Sequence, residues 1–158
     1  MPPSLRKRVT RGGAGSRSAP TAPGRPPERL YAHRTLAQKL GIAAGERVAA
    51  VGAPADFPAT LGALPDTVRL TAHFTADAQR VVWFVKSRRE LQIALGRLAA
   101  SLERQVAWLA WPKKASGVTT DLDGNVVREA GLAAGLVDFK VCSVDATWSA
   151  LAFKRAKR

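Results

Sequence analysis

Cysteine is almost absent from this chain: Cys142 is the only one in 158 residues. A single thiol excludes an internal disulfide and fits a reducing cytoplasm. Histidine is nearly as scarce, and His33 and His73 together with Cys142 are too few and too scattered for a zinc or haem centre. No metal site is expected. No apolar run is long enough for a signal-peptide core or a membrane span, so membrane association is not expected. Two further absences remove specific chemistries. The segment Asp121-x-Asp123-Gly124-Asn125 lacks the terminal bidentate Glu and the glycine position of a calcium loop. Ser116 stands outside any Gly-x-Ser-x-Gly elbow, which removes the strained turn that exposes a serine nucleophile.

Acidic residues are also sparse, 12 Asp and Glu against 25 Lys and Arg, for a net charge of +13. Such a balance points to a polyanionic partner, but the charge is unevenly placed. Residues 1–34 hold eight basic groups and one acid, Glu28, and Lys154, Arg155, Lys157 and Arg158 crowd the other end. Between them the chain is close to neutral. The first 34 residues, rich in Pro, Gly and Arg, have too little apolar surface to offset the entropy of ordering, and read as a disordered basic arm. Residues 35–154 form the domain, and 155–158 a basic tail. With 46% apolar residues overall, the chain has material for one real core.

Periodicity assigns the elements. Thr35 is placed to cap a short helix through Leu36, Ala37 and Leu40 that ends at Gly41. Residues 47–51 read as a central strand, Ala53 to Pro65 as a segment with one short helix, and 68–73 as a second strand. Residues 80–85 form a β-branched and aromatic strand, and Ser87-Arg88-Arg89-Glu90 matches a capping box for a helix whose face is Leu91, Ala94, Leu95, Leu98 and Leu102. The continuous apolar run 105–111 predicts a parallel strand covered on both faces, ended by Pro112. Thr120 or Asp121 is expected to cap the next helix, which stops at Gly135. Two strands, 137–144 and 148–154, close the chain as a hairpin, placing an antiparallel strand at one end of the sheet. The fold class is α/β, a Rossmann-like three-layer sandwich with a mostly parallel sheet of five or six strands and an antiparallel C-terminal strand pair. One link strains this layout: about seven residues join the second and third strands, short of the dozen or so a parallel crossover usually takes.

The loop 111–121 is the richest in polar groups. It lies at the carboxyl edge of the sheet, where open α/β sheets bind ligands. Lys113 and Lys114 bring charge, Ser116, Thr119 and Thr120 hydroxyls, and Gly117 a point of close backbone approach, while the following helix start offers free N–H groups. These are the expected anion-binding residues, for a phosphate or carboxylate. Trp111, at the strand end, is a candidate stacking platform, whereas Trp83, Trp108 and Trp148 read as core. Cys142, in an apolar strand, also reads as core.

The order of elements over residues 35–154, with its final strand pair 135–142 and 148–154, resembles the Rossmann-like fold of class I methyltransferases. The motif Trp111-Pro112-Lys113-Lys114-x-Ser116-Gly117, followed by Thr120-Asp121-Leu122 and by Arg128-Glu129-Ala130-Gly131-Leu132, is similar to a small bacterial family described as a domain of unknown function. The first resemblance implies a fold in which a nucleoside cofactor sits beyond the first strand. Here Val51-Gly52-Ala53-Pro54-Ala55-Asp56 has one glycine and a proline where that family has Gly-x-Gly, and Leu70-Thr71-Ala72-His73-Phe74 offers no acid for ribose hydroxyls. The sequence therefore predicts a small cytoplasmic bacterial binding or regulatory module, without cofactor and without a conventional catalytic apparatus, carrying an anion site at 111–121. Two alternatives stand beside it: non-specific nucleic-acid binding through the basic tails, and a reduced methyltransferase-like enzyme.

Overall fold

A computed structural model of the chain describes residues 34–157. The basic arm, up to residue 33, and Arg158 lie outside the described residues. The elements are α1 (Leu36–Lys39), β1 (Arg47–Val51), α2 (Phe57–Leu61), β2 (Arg69–Thr71), β3 (Arg80–Phe84), α3 (Arg88–Ser101), β4 (Val106–Pro112), a 3-10 turn (Lys114–Ser116), α4 (Gly124–Ala133), β5 (Leu136–Ser143) and β6 (Trp148–Arg155). The six strands form one sheet in the order β2-β1-β3-β4-β6-β5. The first four are mutually parallel, and β6 runs antiparallel to both β4 and β5. This is the expected α/β class, with helices on both faces of a mostly parallel sheet.

Strand alternation divides the core in two. One face carries Ala49, Val81, Trp83, Leu109, Leu151 and Phe153 against the stripe Leu91, Leu95 and Leu98 of α3 and Val127 of α4. The other carries Val48, Val82, Trp108 and Ala150 against Leu36 and Leu40 of α1's turn and Phe57 and Leu61 of α2. Adjacent residues of one strand thus serve different clusters, as the pleat requires. Gly131 shows how closely α4 sits: a Cβ there would lie 2.3 Å from the Phe153 ring.

Three expectations change. The C-terminal hairpin does not end the sheet with its antiparallel strand, because β6 inserts between β4 and β5. Residues Ala150 to Phe153 of β6 are buried on both faces and belong inside, whereas β5 exposes Phe139, Lys140 and Val141 and takes the edge. The strained second crossover resolves because β2 is only three residues long and pairs with β1, as β3 does on β1's other side. The cap of α4 is neither Thr120 nor Asp121: Asp123 accepts the Val126 N–H at 2.9 Å, so the helix starts at Gly124. Asp121 instead accepts the Arg88 N–H at 2.9 Å, at the start of α3.

The Thr35 cap holds with a full capping box, Thr35 and Gln38 exchanging side-chain and backbone bonds. At α3 only half of the expected box forms. Ser87 accepts the Glu90 N–H, but the Glu90 carboxylate accepts the Lys86 N–H at 2.8 Å. Arg155, expected in the tail, completes β6 and donates to the carbonyls of Ala99 and Leu102 at 2.6 Å each. It thereby satisfies orphan acceptors at the end of α3.

Candidate functional site

Sheet order locates the site. From β1 the chain steps outward to β2, returns to β3 on the opposite side of β1, and moves on to β4. Connections thus leave β1 and β3 in opposite directions, which opens a crevice beyond their carboxyl ends, the usual ligand position of an open α/β sheet. Gly52, the first residue after β1, stands at that crevice. Its φ of +69° is left-handed, and a Cβ would lie 3.0 Å from the Phe84 carbonyl oxygen. Only glycine lets the chain turn here while passing so close to β3.

Gly52 borders two cavities. The first, about 350 Å³, lies over the ends of β1 and β2 and is lined by Ala53, Pro54, Phe57, Leu70 and Thr71. Its polar groups are few. The Thr71 hydroxyl donates to the His73 carbonyl at 3.2 Å, and among the described residues no carboxylate lines the cavity. The second, about 370 Å³, lies over the end of β3 between Trp83, Phe84, Lys86, Glu90, Ile93 and Trp148. Its aromatic wall is ordered: Phe84 meets Phe57 and Trp148 edge to face, each at a centroid distance of 5.0 Å. Both volumes fall within the range of small-molecule sites.

The turn after β3 is held from two directions. Glu90 accepts the Lys86 N–H, and the Thr120 hydroxyl donates to the Lys86 carbonyl at 2.7 Å. With Asp121 on the Arg88 N–H, the segment 120–121 clamps the β3–α3 turn from outside.

This defines where the expected anion-site residues lie. The Lys113 ammonium donates to the Ser143 hydroxyl and to the Asp145 carbonyl, both at 2.7 Å, tying β4 to the β5–β6 turn. Ser116 donates to the Lys113 carbonyl at 2.6 Å and accepts the Val118 N–H. Thr120 also accepts the Leu122 N–H. Lys114, Gly117 and Thr119 are exposed, Gly117 with φ +83°. Of the six, Lys113, Ser116 and Thr120 are thus bonded within the protein, and Lys114, Gly117 and Thr119 face solvent. Trp111 is buried in the α3 side of the core, its ring facing Gly124. Cys142 is a core residue, and burial raises its pKa despite the opposing charges of Lys39, Lys140 and Lys113. Among the described residues no group of three metal-ligating side chains occurs, and no helix is long and apolar enough to cross a membrane.

The crevice carries no Gly-x-Gly turn after β1 to mark it in the sequence. The available signals were the lone Gly52 at the end of a central strand and Ile93, an apolar residue outside the buried stripe of α3.

Comparison with known proteins agrees with this geometry at the level of fold. The DhpI–SAH complex is similar at a TM-score of 0.51, with 12% identity over 83% of this chain and 82% of that one. The fold is Rossmann-like. A putative methyltransferase from Thermoplasma acidophilum is similar at 0.47, with 11% identity over 82% and 75% of the two chains. CcbJ methyltransferase from Streptomyces caelestis is similar at 0.45, with 10% identity over 77% and 87%. No protein-family model matches the chain, and no curated protein matches it.

Proposed function

We propose that this chain is a reduced methyltransferase-like domain that holds an S-adenosyl nucleoside in the cavity between Gly52 and Thr71. The observation that carries this reading is the 350 Å³ cavity beyond the ends of β1 and β2, at the switch point of the sheet. Its fold is shared with DhpI, whose structure contains SAH. The lining fits such a ligand in part. Pro54, Phe57 and Leu70 offer apolar surface for a purine ring, and the Gly52 turn brings backbone close to the ligand. Ribose hydroxyls would meet Thr71 and backbone, with no acid to receive them. A bound S-adenosylmethionine supplies an electrophilic methyl group, and no side chain of this domain is assigned a catalytic role toward it.

In the loop 113–120, three of the six expected ligand groups, Lys113, Ser116 and Thr120, bond to the protein itself. Lys114, Gly117 and Thr119 are what an anion would meet there. Nucleic-acid binding through the tails concerns mainly residues 1–33.

Calorimetric titration of the full chain with S-adenosylmethionine tests the proposal. Saturable binding is expected, weakened by at least about tenfold in Ala72→Trp, which fills the cavity from its exposed rim, and unchanged in Lys114→Ala. Absence of heat at millimolar cofactor, or loss in Lys114→Ala with retention in Ala72→Trp, would overturn it.

A further inference from the structure

The second cavity at Gly52 combines three features that the fold itself does not require. Its wall is aromatic, with Trp83 reaching the sheet edge from the α3 face and Phe84 and Trp148 from the other face. Its rim carries Ile93, which is 57% exposed although the buried stripe of its own helix runs through Leu91, Ala94, Leu95 and Leu98. An isoleucine there lies outside the core, and it lines the cavity. The third feature is Lys86. Its backbone is fixed on both sides, the N–H by Glu90 and the carbonyl by Thr120. Among the described residues, no carboxylate forms an ion pair with its ammonium.

Among the described residues Glu90 is the only acid lining this cavity, and one of its oxygens is committed to the Lys86 N–H. It sits in the first turn of α3, where the helix dipole offsets its charge. Lys86 therefore remains the group with uncommitted charge, set on a rigid turn beside apolar and aromatic surface. A flat ring lying across the sheet edge between Trp83 and Trp148 and beside Ile93, with an acidic substituent reaching the ammonium, satisfies all three features together.

We infer that the Trp83–Trp148 cavity binds a planar aromatic carboxylate, read by Lys86. On the reading given above, this is the second ligand of the same cleft, lying across Gly52 from the nucleoside. Its binding is separable from that of the nucleoside, because among the described residues the two cavities share only Gly52.

The probe is 2-naphthoate, titrated into the full chain at neutral pH and followed by quenching of tryptophan fluorescence, with the neutral 2-naphthamide and the cationic naphthylmethylamine as shape controls. Naphthoate is expected to bind saturably and at least about tenfold more tightly than either control. Lys86→Met should reduce naphthoate to the affinity of the amide while leaving the amide unchanged. Ile93→Asp, also on the surface, should weaken naphthoate by a similar factor, and Lys114→Met should have no effect. Equal affinity for acid and amide, tighter binding of the amine, or full naphthoate binding in Lys86→Met would overturn the inference. Ala72→Trp separates the two proposals: naphthoate binding persists in it whether or not S-adenosylmethionine binds.

Discussion

The Glu46–Arg80 pair illustrates how single residues hold this domain. Arg80 donates to both Glu46 oxygens, at 2.9 and 3.1 Å, and to the Leu40 carbonyl, which also accepts from the Trp108 indole. Only 15% and 17% of the two charged side chains is exposed. Burial by itself would raise the Glu46 pKa, but hydrogen bonds from Arg80 and the Ala43 N–H, with the Arg80 charge, outweigh it and bring the value below the ordinary 4.5. A depressed carboxylate contributes stability that is present above the unfolded value and lost as pH falls through the lower folded one. Glu46→Gln should therefore cost about 1–3 kcal/mol at neutral pH and flatten the stability profile below about pH 4.5. Chemical denaturation at several pH values checks this, and an unchanged acid limb would contradict it. Gly52 matters at the same scale for the opposite reason, since what it contributes is the absence of a side chain.

At the scale of elements, the segment 120–123 joins two helices. Asp123 caps α4, and Asp121, two residues earlier, caps α3 from another part of the chain. Local spacing made Thr120 or Asp121 the natural choice for the nearer helix, and no local rule indicates that an acid will serve a helix start more than 30 residues away. Asp121→Ala should accordingly speed amide exchange at Arg88 and lower stability by about 0.5–2 kcal/mol while leaving exchange at Val126 unchanged. Accelerated exchange at Val126 alone would show that the aspartate serves α4 instead. The same reasoning explains the edge of the sheet. Hairpin connectivity was legible in the Asp145-Ala146-Thr147 turn, but which strand lies inside depended on the burial of β6 against two neighbours.

At the scale of the whole molecule, one sheet separates two clusters of buried side chains, and every central strand contributes to both. Neither cluster can loosen without disturbing the strands that carry the other. Phe57→Ala, on the α2 side, should lower stability by about 3–5 kcal/mol and shift a single calorimetric transition. Two separate transitions would show that the faces unfold independently.

The sequence by itself determined the α/β class, the extents of the long elements and the buried stripes, because periodicities of 2 and 3.6 residues and local capping chemistry are properties of neighbouring residues. It also marked 111–121 as polar, which is correct as composition. Tertiary structure decided what those polar groups do. It turned Lys113, Ser116 and Thr120 toward the protein, enclosed Trp111, and placed Gly52, Lys86 and Trp148, almost 100 residues apart at the extremes, around one crevice. Convergence of this kind arises from strand order, and strand order follows from which strands can be buried on both faces, a property no single segment carries alone.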